Sequence, residues 1–212
     1  MIAVIVPIYN TEKYLRETID SVICQTLSFA EHIRLILLDD ASTDGSFAIC
    51  EQYQKQYPKQ ILVKHYDTNQ GVSVLRNEGV RIAGEMGDEL ITFLDSDDKL
   101  ADDAMEKAKM YFESHEDISV AAIAVKYFGT RDGEQRLNWR FQEMDVVDIK
   151  KQYTFPHYYV GGVFLRKRVL NELHFDETMN FWEDALAINQ VIVSEGKYGL
   201  IQDTFYFYRK RE

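Results

Sequence analysis

The sequence predicts an α/β fold built on a mostly parallel sheet, and two observations carry that reading. Short apolar, β-branched runs, which suit strands buried on both faces, recur through the first half of the chain. Between them lie segments with apolar residues at helical spacing, and a strand–helix alternation of this kind yields parallel strands joined by crossovers. The first strand occupies residues 2–6 and is expected to stop at Pro7, which has no N–H for a ladder. A helix starts around Asn10, Thr11 and Glu12, with Leu15, Ile19, Val22 and Ile23 on one face. The second strand, residues 33–38, runs into Asp39 and Asp40. A helix follows with Phe47, Cys50, Tyr53 and Tyr57 on one side, closed by Pro58. Residues 61–66 form a third strand, 72–86 a third helix ended by Gly87, and 90–94 a fourth strand that ends in an acidic cluster at 95–98. A fourth helix carries Ala101, Ala104, Met105, Ala108 and Phe112. After residue 120 the rhythm changes: a strand at 120–128, a turn at Asp132 and Gly133, a return strand at 137–141, an aromatic, glycine-bearing stretch at 153–164, a short helix at 167–173, a longer one at 183–195, and a strand-like alternation at 198–208.

The composition is that of a soluble globular chain: 212 residues, 46% hydrophobic and 28% charged, enough to bury a sizeable core. Against 35 Asp and Glu stand 24 Lys and Arg, a net charge of −11. A surface this acidic repels phosphate backbones and anionic lipid, which argues against nucleic acid as a main partner. The cluster Arg209-Lys210-Arg211 is a local exception. Cys24 and Cys50 are too few for a disulfide framework and lack His or Cys neighbours at metal-ligand spacing. Both fall in helical stretches and read as reduced core residues of a cytoplasmic protein. No apolar run approaches the roughly 18 residues of a membrane span, and the N-terminus lacks the basic start and cleavage site of a signal peptide. Secreted, fibrous, membrane-spanning and disordered classes are excluded.

In an open parallel sheet, ligands bind beyond the carboxyl ends of the strands, which is where the acidic clusters fall. Helix capping would explain one Asp per helix. It does not explain Asp95, Asp97 and Asp98 together, because like charges so close repel unless a cation or ligand offsets them. An Asp-x-Asp at a strand end offers hard oxygens to Mg²⁺ or Mn²⁺; such an ion typically bridges a diphosphate, so a nucleoside-diphosphate substrate is implied. In residues 69–79, Gly71 permits a tight turn, and Arg76 either salt-bridges an Asp or pairs with a phosphate. Glu183 and Asp184, after Phe181 and Trp182, are either a capping pair or hold a general base at the rim of an aromatic pocket.

The order Val6-Pro7-Ile8-Tyr9-Asn10, Leu38-Asp39-Asp40-Ala41-Ser42-Thr43-Asp44-Gly45, Asn69-x-Gly71 with Arg76-Asn77-x-Gly79, Phe93-Leu94-Asp95-Ser96-Asp97-Asp98 and Glu183-Asp184 resembles the family-two glycosyltransferases of the GT-A fold, from residue 2 to about 208. The resemblance implies one domain, with a Rossmann-like, nucleotide-sugar-binding half (1–115) and an acceptor-side half (116–212). It implies an inverting, metal-dependent hexosyltransferase of the bacterial cell-surface polysaccharide or wall-polymer type. By the same resemblance, Pro7, Tyr9, Asn10 and Glu12 wall the nucleotide base, Asp40 reads the uracil N–H of a UDP-sugar, and Arg76 organises that pocket. Asp95 and Ser96 lie near the ribose or donor sugar, Asp97 is the direct ligand of a divalent Mn or Mg ion with Asp95 beside it, and Asp184 is the general base. The implied partners are a nucleotide-sugar donor and a saccharide, lipid-linked saccharide or polymer acceptor, met in the cytoplasm at the inner face of the membrane by peripheral association.

Two departures stand out. Many relatives have a Trp-Gly pair where this chain has Val160-Gly161-Gly162, and relatives run on past the Tyr-x-Tyr-Arg stretch, so the chain is expected to be the N-terminal catalytic part of a longer enzyme. His157, among aromatics, reads as a packed residue. A nicotinamide dehydrogenase needs Gly-x-Gly-x-x-Gly after the first strand and a P-loop ATPase needs Gly-Lys-Ser/Thr; neither is present. A phosphatase using Asp95 would want a small hydroxyl or Val at Lys99. The alternatives kept are a nucleotidylyltransferase, which usually has a Gly-rich basic loop after the first strand, and a non-catalytic nucleotide-binding domain, although every expected carboxylate is present.

Overall fold

The computed structural model describes residues 1–130, 135–136, 144–151, 160–179 and 181–211. The turn at Asp132 and Gly133, the return strand at 137–141, His157 and most of the aromatic stretch lie outside the described residues. Strands β1 (Ile2–Ile8), β2 (Ile33–Asp39), β3 (Ile61–His65) and β4 (Leu90–Phe93) pair in parallel in the order β3-β2-β1-β4. Along β1 the side chains alternate between two cores: Ile2, Val4, Val6 and Ile8 join one, Ala3 and Ile5 the other. Both faces are therefore covered, which is why these strands read as continuous apolar runs. Helices α1 (Glu12–Ile23), α3 (Ser46–Gln56) and α5 (Ala104–Ser114) cover the first face; α4 (Val72–Glu85) and α6 (Glu183–Glu195) cover the second. The single turn of α2 (Phe29–His32), absent from the strand–helix alternation read above, inserts Phe29 into the first core.

The sheet continues without a break into the second half. Strand β9 (Val163–Arg166) runs antiparallel between β4 and β6 (Val120–Gly129), and β10 (Lys197–Lys210) lies parallel to β6. Short strands β5 (Lys99–Leu100), β7 (Gln135–Arg136) and β8 (Val146–Asp148) extend this part, pairing antiparallel with β10, β6 and β10. The fold is the expected α/β sheet with flanking helices: parallel in its first half, mixed in its second.

Three expectations are corrected. Pro7 does not end the first strand, which continues to Ile8 in register with Leu38 and Asp39. Ile5 O accepts from Leu94 N on the β4 side and Ile8 O accepts from Asp40 N on the β2 side. By that alternation the Pro7 nitrogen faces β4 beyond its last paired residue, so its missing N–H costs no ladder bond. The helix expected at 167–173 is one 3-10 turn, Lys167–Val169, continued only by i→i−3 turn bonds, among them Leu170 N to Lys167 O and Leu173 N to Leu170 O, with Leu170 and Leu173 buried. Cys24 is exposed, because it is the C-cap of α1 and lies off the Leu15–Ile19–Val22 stripe; Cys50 is buried as expected. Among the described residues no helix is long and apolar enough to cross a membrane.

Gly79 fixes how closely α4 approaches the sheet: a Cβ there would sit 2.3 Å from Cγ2 of Ile5, in the middle of β1. Gly79→Ala is expected to cost about 1–3 kcal/mol by overpacking. Urea unfolding measures it, and a midpoint unchanged from wild type would refute the close-packing claim.

Candidate functional site

The two acidic clusters do not cap helices. After Asp39 and Asp40 the next helix begins at Ser46 with Gly45 as its cap, and after Asp95 to Asp98 it begins at Ala104. Each cluster instead splits into an inward and an outward carboxylate. Asp39 is fully buried, with Oδ2 2.7 Å from His65 Nδ1 and accepting from Ser42 N, so it ties β2 to β3 and to the loop that follows. Asp40 points out: its Oδ1 and Oδ2 accept from the backbone N–H groups of Gln70 and Gly71, at 2.7 and 2.9 Å. Gly71, at φ +90°, adopts a conformation that suits glycine and turns the chain into α4.

The second cluster divides in the same way. Asp98 is buried, accepting from Tyr206 Oη on Oδ2 and from Arg209 N on Oδ1, both at 2.7 Å. Burial pushes its carboxyl up to about 8, the neighbouring Asp95 charge adds to this, and the two hydrogen bonds pull it back. Tyr206 Oη also accepts from Asp95 N, so this one phenol holds the turn that presents Asp95 and Asp97. Gly161 and Gly162 are required above it: a Cβ on Gly161 would stand 2.7 Å from the Tyr206 ring. That close approach gives the Val160-Gly161-Gly162 departure a physical reason.

The outward groups converge on a cleft of about 410 Å³ at the carboxyl end of the parallel strands. Pro7, Tyr9, Asp40, Asp95, Ser96 and Asp97 line it, together with Thr11, Asn69, Gly71, Val72, Leu75 and Arg211. Asn10 and Glu12 do not line it. Asn10 Oδ1 accepts from Thr43 N, and Glu12 Oε2 accepts from Gly45 N, so both brace the loop after β2. Arg211 was visible in the sequence only as part of the C-terminal basic cluster. In the structure its guanidinium pairs with Asp97 Oδ2 and lies 5.0 Å from the Tyr14 ring centroid.

Arg76 sits behind the cleft, 5% exposed. Its Nη1 donates to Glu183 Oε1 at 2.8 Å and its Nη2 to Asp95 Oδ1 at 3.3 Å, so the salt-bridge reading holds, with two carboxylates rather than one. Burial raises the Asp95 carboxyl, Arg76 draws it down, and Asp97 and Glu183 push it up again. Glu183 and Asp184 occupy the first turn of α6, after Trp182 in the left-handed region at φ +67°, a strained conformation for a large side chain. Because Glu183 turns to Arg76, Asp184 turns the other way, into a narrow second pocket shared with Asp95, Tyr127, Gly161, Tyr206, Tyr208 and Lys210. Val160 N and Ala185 N donate to the two Asp184 oxygens, and burial raises its carboxyl above the ordinary range, partly offset by Arg76. Asp95 thus borders both spaces, with the carboxylates of the cleft on one side and Asp184 on the other.

Asp95 and Asp97 have the donor chemistry for a divalent cation. They are hard oxygen ligands on one cleft wall, each with one oxygen held by an arginine, and burial together with the neighbouring Asp97 charge raises Asp95. Among the described residues no third carboxylate, His or Cys completes the set. That suits an ion whose remaining ligands come from substrate phosphates and water.

Residues 3–174 match glycosyl transferase family 2. The chain is 40% identical over 214 residues to the minor teichoic acid biosynthesis protein GgaA of Bacillus subtilis (strain 168), covering all of this chain and 48% of that protein. A crystal structure of S. aureus TarS 1-349 in complex with UDP-GlcNAc superposes with a TM-score of 0.81 at 25% identity, over 100% of this chain and 59% of that one. The mannosyltransferase PcManGT from Pyrobaculum calidifontis, solved with GDP-Man and Mn²⁺, shares the fold at a TM-score of 0.72 and 18% identity, over 98% of this chain and 56% of that one. The chain thus spans about half the length of relatives it matches end to end. Strand-end carboxylates facing one cleft, an arginine joining them to a late Glu-Asp pair, and the match over residues 3–174 establish that this chain belongs to glycosyl transferase family 2 and has the GT-A fold.

Proposed function

We propose that the chain is the donor-binding, catalytic part of an inverting glycosyltransferase that moves a hexosyl group from a UDP-sugar to a hydroxyl of a wall-polymer acceptor, working in the cytoplasm against the inner face of the membrane. One observation carries it: Arg76, bonded to both Asp95 and Glu183, brings the donor cleft and the Asp184 pocket together at Asp95. The likeness to TarS bound to UDP-GlcNAc and to GgaA supports the donor and acceptor classes.

In this reading the nucleotide lies in the 410 Å³ cleft, its base against Pro7 and Tyr9. Each Asp40 oxygen already accepts one backbone N–H, which fixes the carboxylate and leaves a lone pair on each oxygen for the uracil N–H. Asp97, with Asp95 beside it, would hold a divalent cation; bound there, the ion neutralises charge that develops on the leaving diphosphate. Arg211, paired with Asp97 on the same cleft wall, would offer its guanidinium to a phosphate of the donor. Asp184 takes the proton from the acceptor hydroxyl as its oxygen forms the new bond to the anomeric carbon and the bond to the diphosphate breaks. One displacement inverts the configuration. A base raised by burial suits this task better than an ordinary carboxylate.

The direct test is calorimetry with UDP, GDP, CDP and dTDP, each with and without Mn²⁺. Tight, metal-dependent binding of UDP alone is expected, and Asp97→Ala should abolish the Mn²⁺ effect; no binding by any nucleotide would sink the reading. Asp184→Asn is expected to lower transfer about 10²–10⁴-fold, the usual scale for a general base, while the UDP dissociation constant stays put. In the wild type, turnover should fall on the acid side through a pKa above the ordinary Asp range, since burial raises Asp184 and only its ionised form accepts the proton. A rate that is flat with pH down to the ordinary Asp value would contradict the assignment. Arg76→Ala leaves Asp95 and Glu183 without their cation and should cost about 3–5 kcal/mol of stability. Arg76→Lys should not restore it, because a point charge cannot reach both carboxylates as the fork does; thermal unfolding of the two variants decides.

A further inference from the structure

Lys210 lines the pocket that Asp184 and Asp95 share. Its ammonium lies 4.6 Å from the Tyr127 ring centroid and 4.7 Å from that of Tyr208, held by two rings that carry no net charge of their own. Neighbouring cations each have a carboxylate partner: Arg76 has Asp95 and Glu183, Lys99 and Arg209 share Glu17, and Arg211 has Asp97. Among the described residues Lys210 has no carboxylate partner. Strand alternation puts Lys126 on the opposite face, over Phe205, so it cannot substitute.

A pocket walled by Asp95 and Asp184, in a chain of net charge −11, would repel an anionic acceptor. The Lys210 ammonium at the end of β10, with no carboxylate partner among the described residues, sets a positive charge in that wall. Resting on the glycosyltransferase reading, we propose that Lys210 anchors an anionic group of the acceptor, a phosphate ester or a carboxylate, while a nearby hydroxyl of the same molecule meets Asp184. The tyrosine rings on either side supply apolar faces for the carbon chain between the two groups.

The test titrates the protein with ribitol 5-phosphate, glucuronic acid, and their neutral counterparts ribitol and glucose, with and without UDP and Mn²⁺, following protein chemical shifts. Wild type is expected to bind one anionic probe about tenfold more tightly than its neutral partner, the worth of one charge-assisted hydrogen bond. Which probe wins separates phosphate from carboxylate. Lys210→Met, which keeps the apolar stem between the rings, should bring the ratio near one, and Lys210→Arg should keep it. UDP affinity in Lys210→Met, read in the other cleft, reports that the variant is folded. A ratio near one in the wild type, or one that survives Lys210→Met, overturns the proposal. Failure of the wild type to bind UDP would instead strike the donor reading, because the probe ratio is measured without UDP as well.

Discussion

A single buried guanidinium organises the site. Arg76, on the second turn of α4, is almost completely removed from water, and a charge so placed is tolerable only if paired. Its two partners come from distant parts of the chain: Asp95 from the end of β4, Glu183 from the first turn of α6. Satisfying one arginine therefore fixes the late helix against the parallel half of the sheet. It also fixes Asp184, because successive residues at a helix start point in different directions, and a Glu183 committed to Arg76 leaves Asp184 facing Asp95 across the second pocket. The arginine is a positioning residue in this arrangement, and the groups it positions line the cleft and the second pocket.

The second organiser is β10. Pairing parallel to β6, it alternates its side chains between two tasks. On one face Tyr206 supports the Asp95–Asp98 turn, and Tyr208 and Lys210 line the Asp184 pocket. On the other, Arg209 packs against Tyr14 and Phe128 and donates to Asp97 O, and beyond the strand Arg211 reaches Asp97. One strand thus supplies the floor of one space and a wall of the other, and Gly161 and Gly162 give its Tyr206 the room it needs.

The sheet of the first half was legible because strands buried on both faces must be apolar throughout, and the helices between them must carry one apolar stripe. Those two periods placed β1 to β4 and most of α1, α3, α4 and α5 to within a few residues. The glycine-loop-free turn after the first strand, the two acidic strand ends and the late Glu-Asp pair are local features, so they too stood in the sequence. What misled was local as well: Pro7 forbids a ladder bond only if a neighbour waits for its N–H, and here none does.

Only the tertiary structure decided which members of each acidic cluster face the cleft. Asp39 and Asp98 turn inward, where His65 holds one oxygen of Asp39 while Tyr206 and the Arg209 N–H hold both of Asp98, each partner remote in sequence; Asp40, Asp95 and Asp97 turn outward. Arg76 could be read as a salt bridge or a phosphate contact until folding brought Glu183 within 2.8 Å. The roles of Asn10 and Glu12, the exposure of Cys24 and the place of Lys210 between two tyrosine rings belong to the same class. Sequence determines residue type and period along the chain, whereas burial and pairing depend on partners 26 to 112 residues away, which only the fold brings within hydrogen-bond distance.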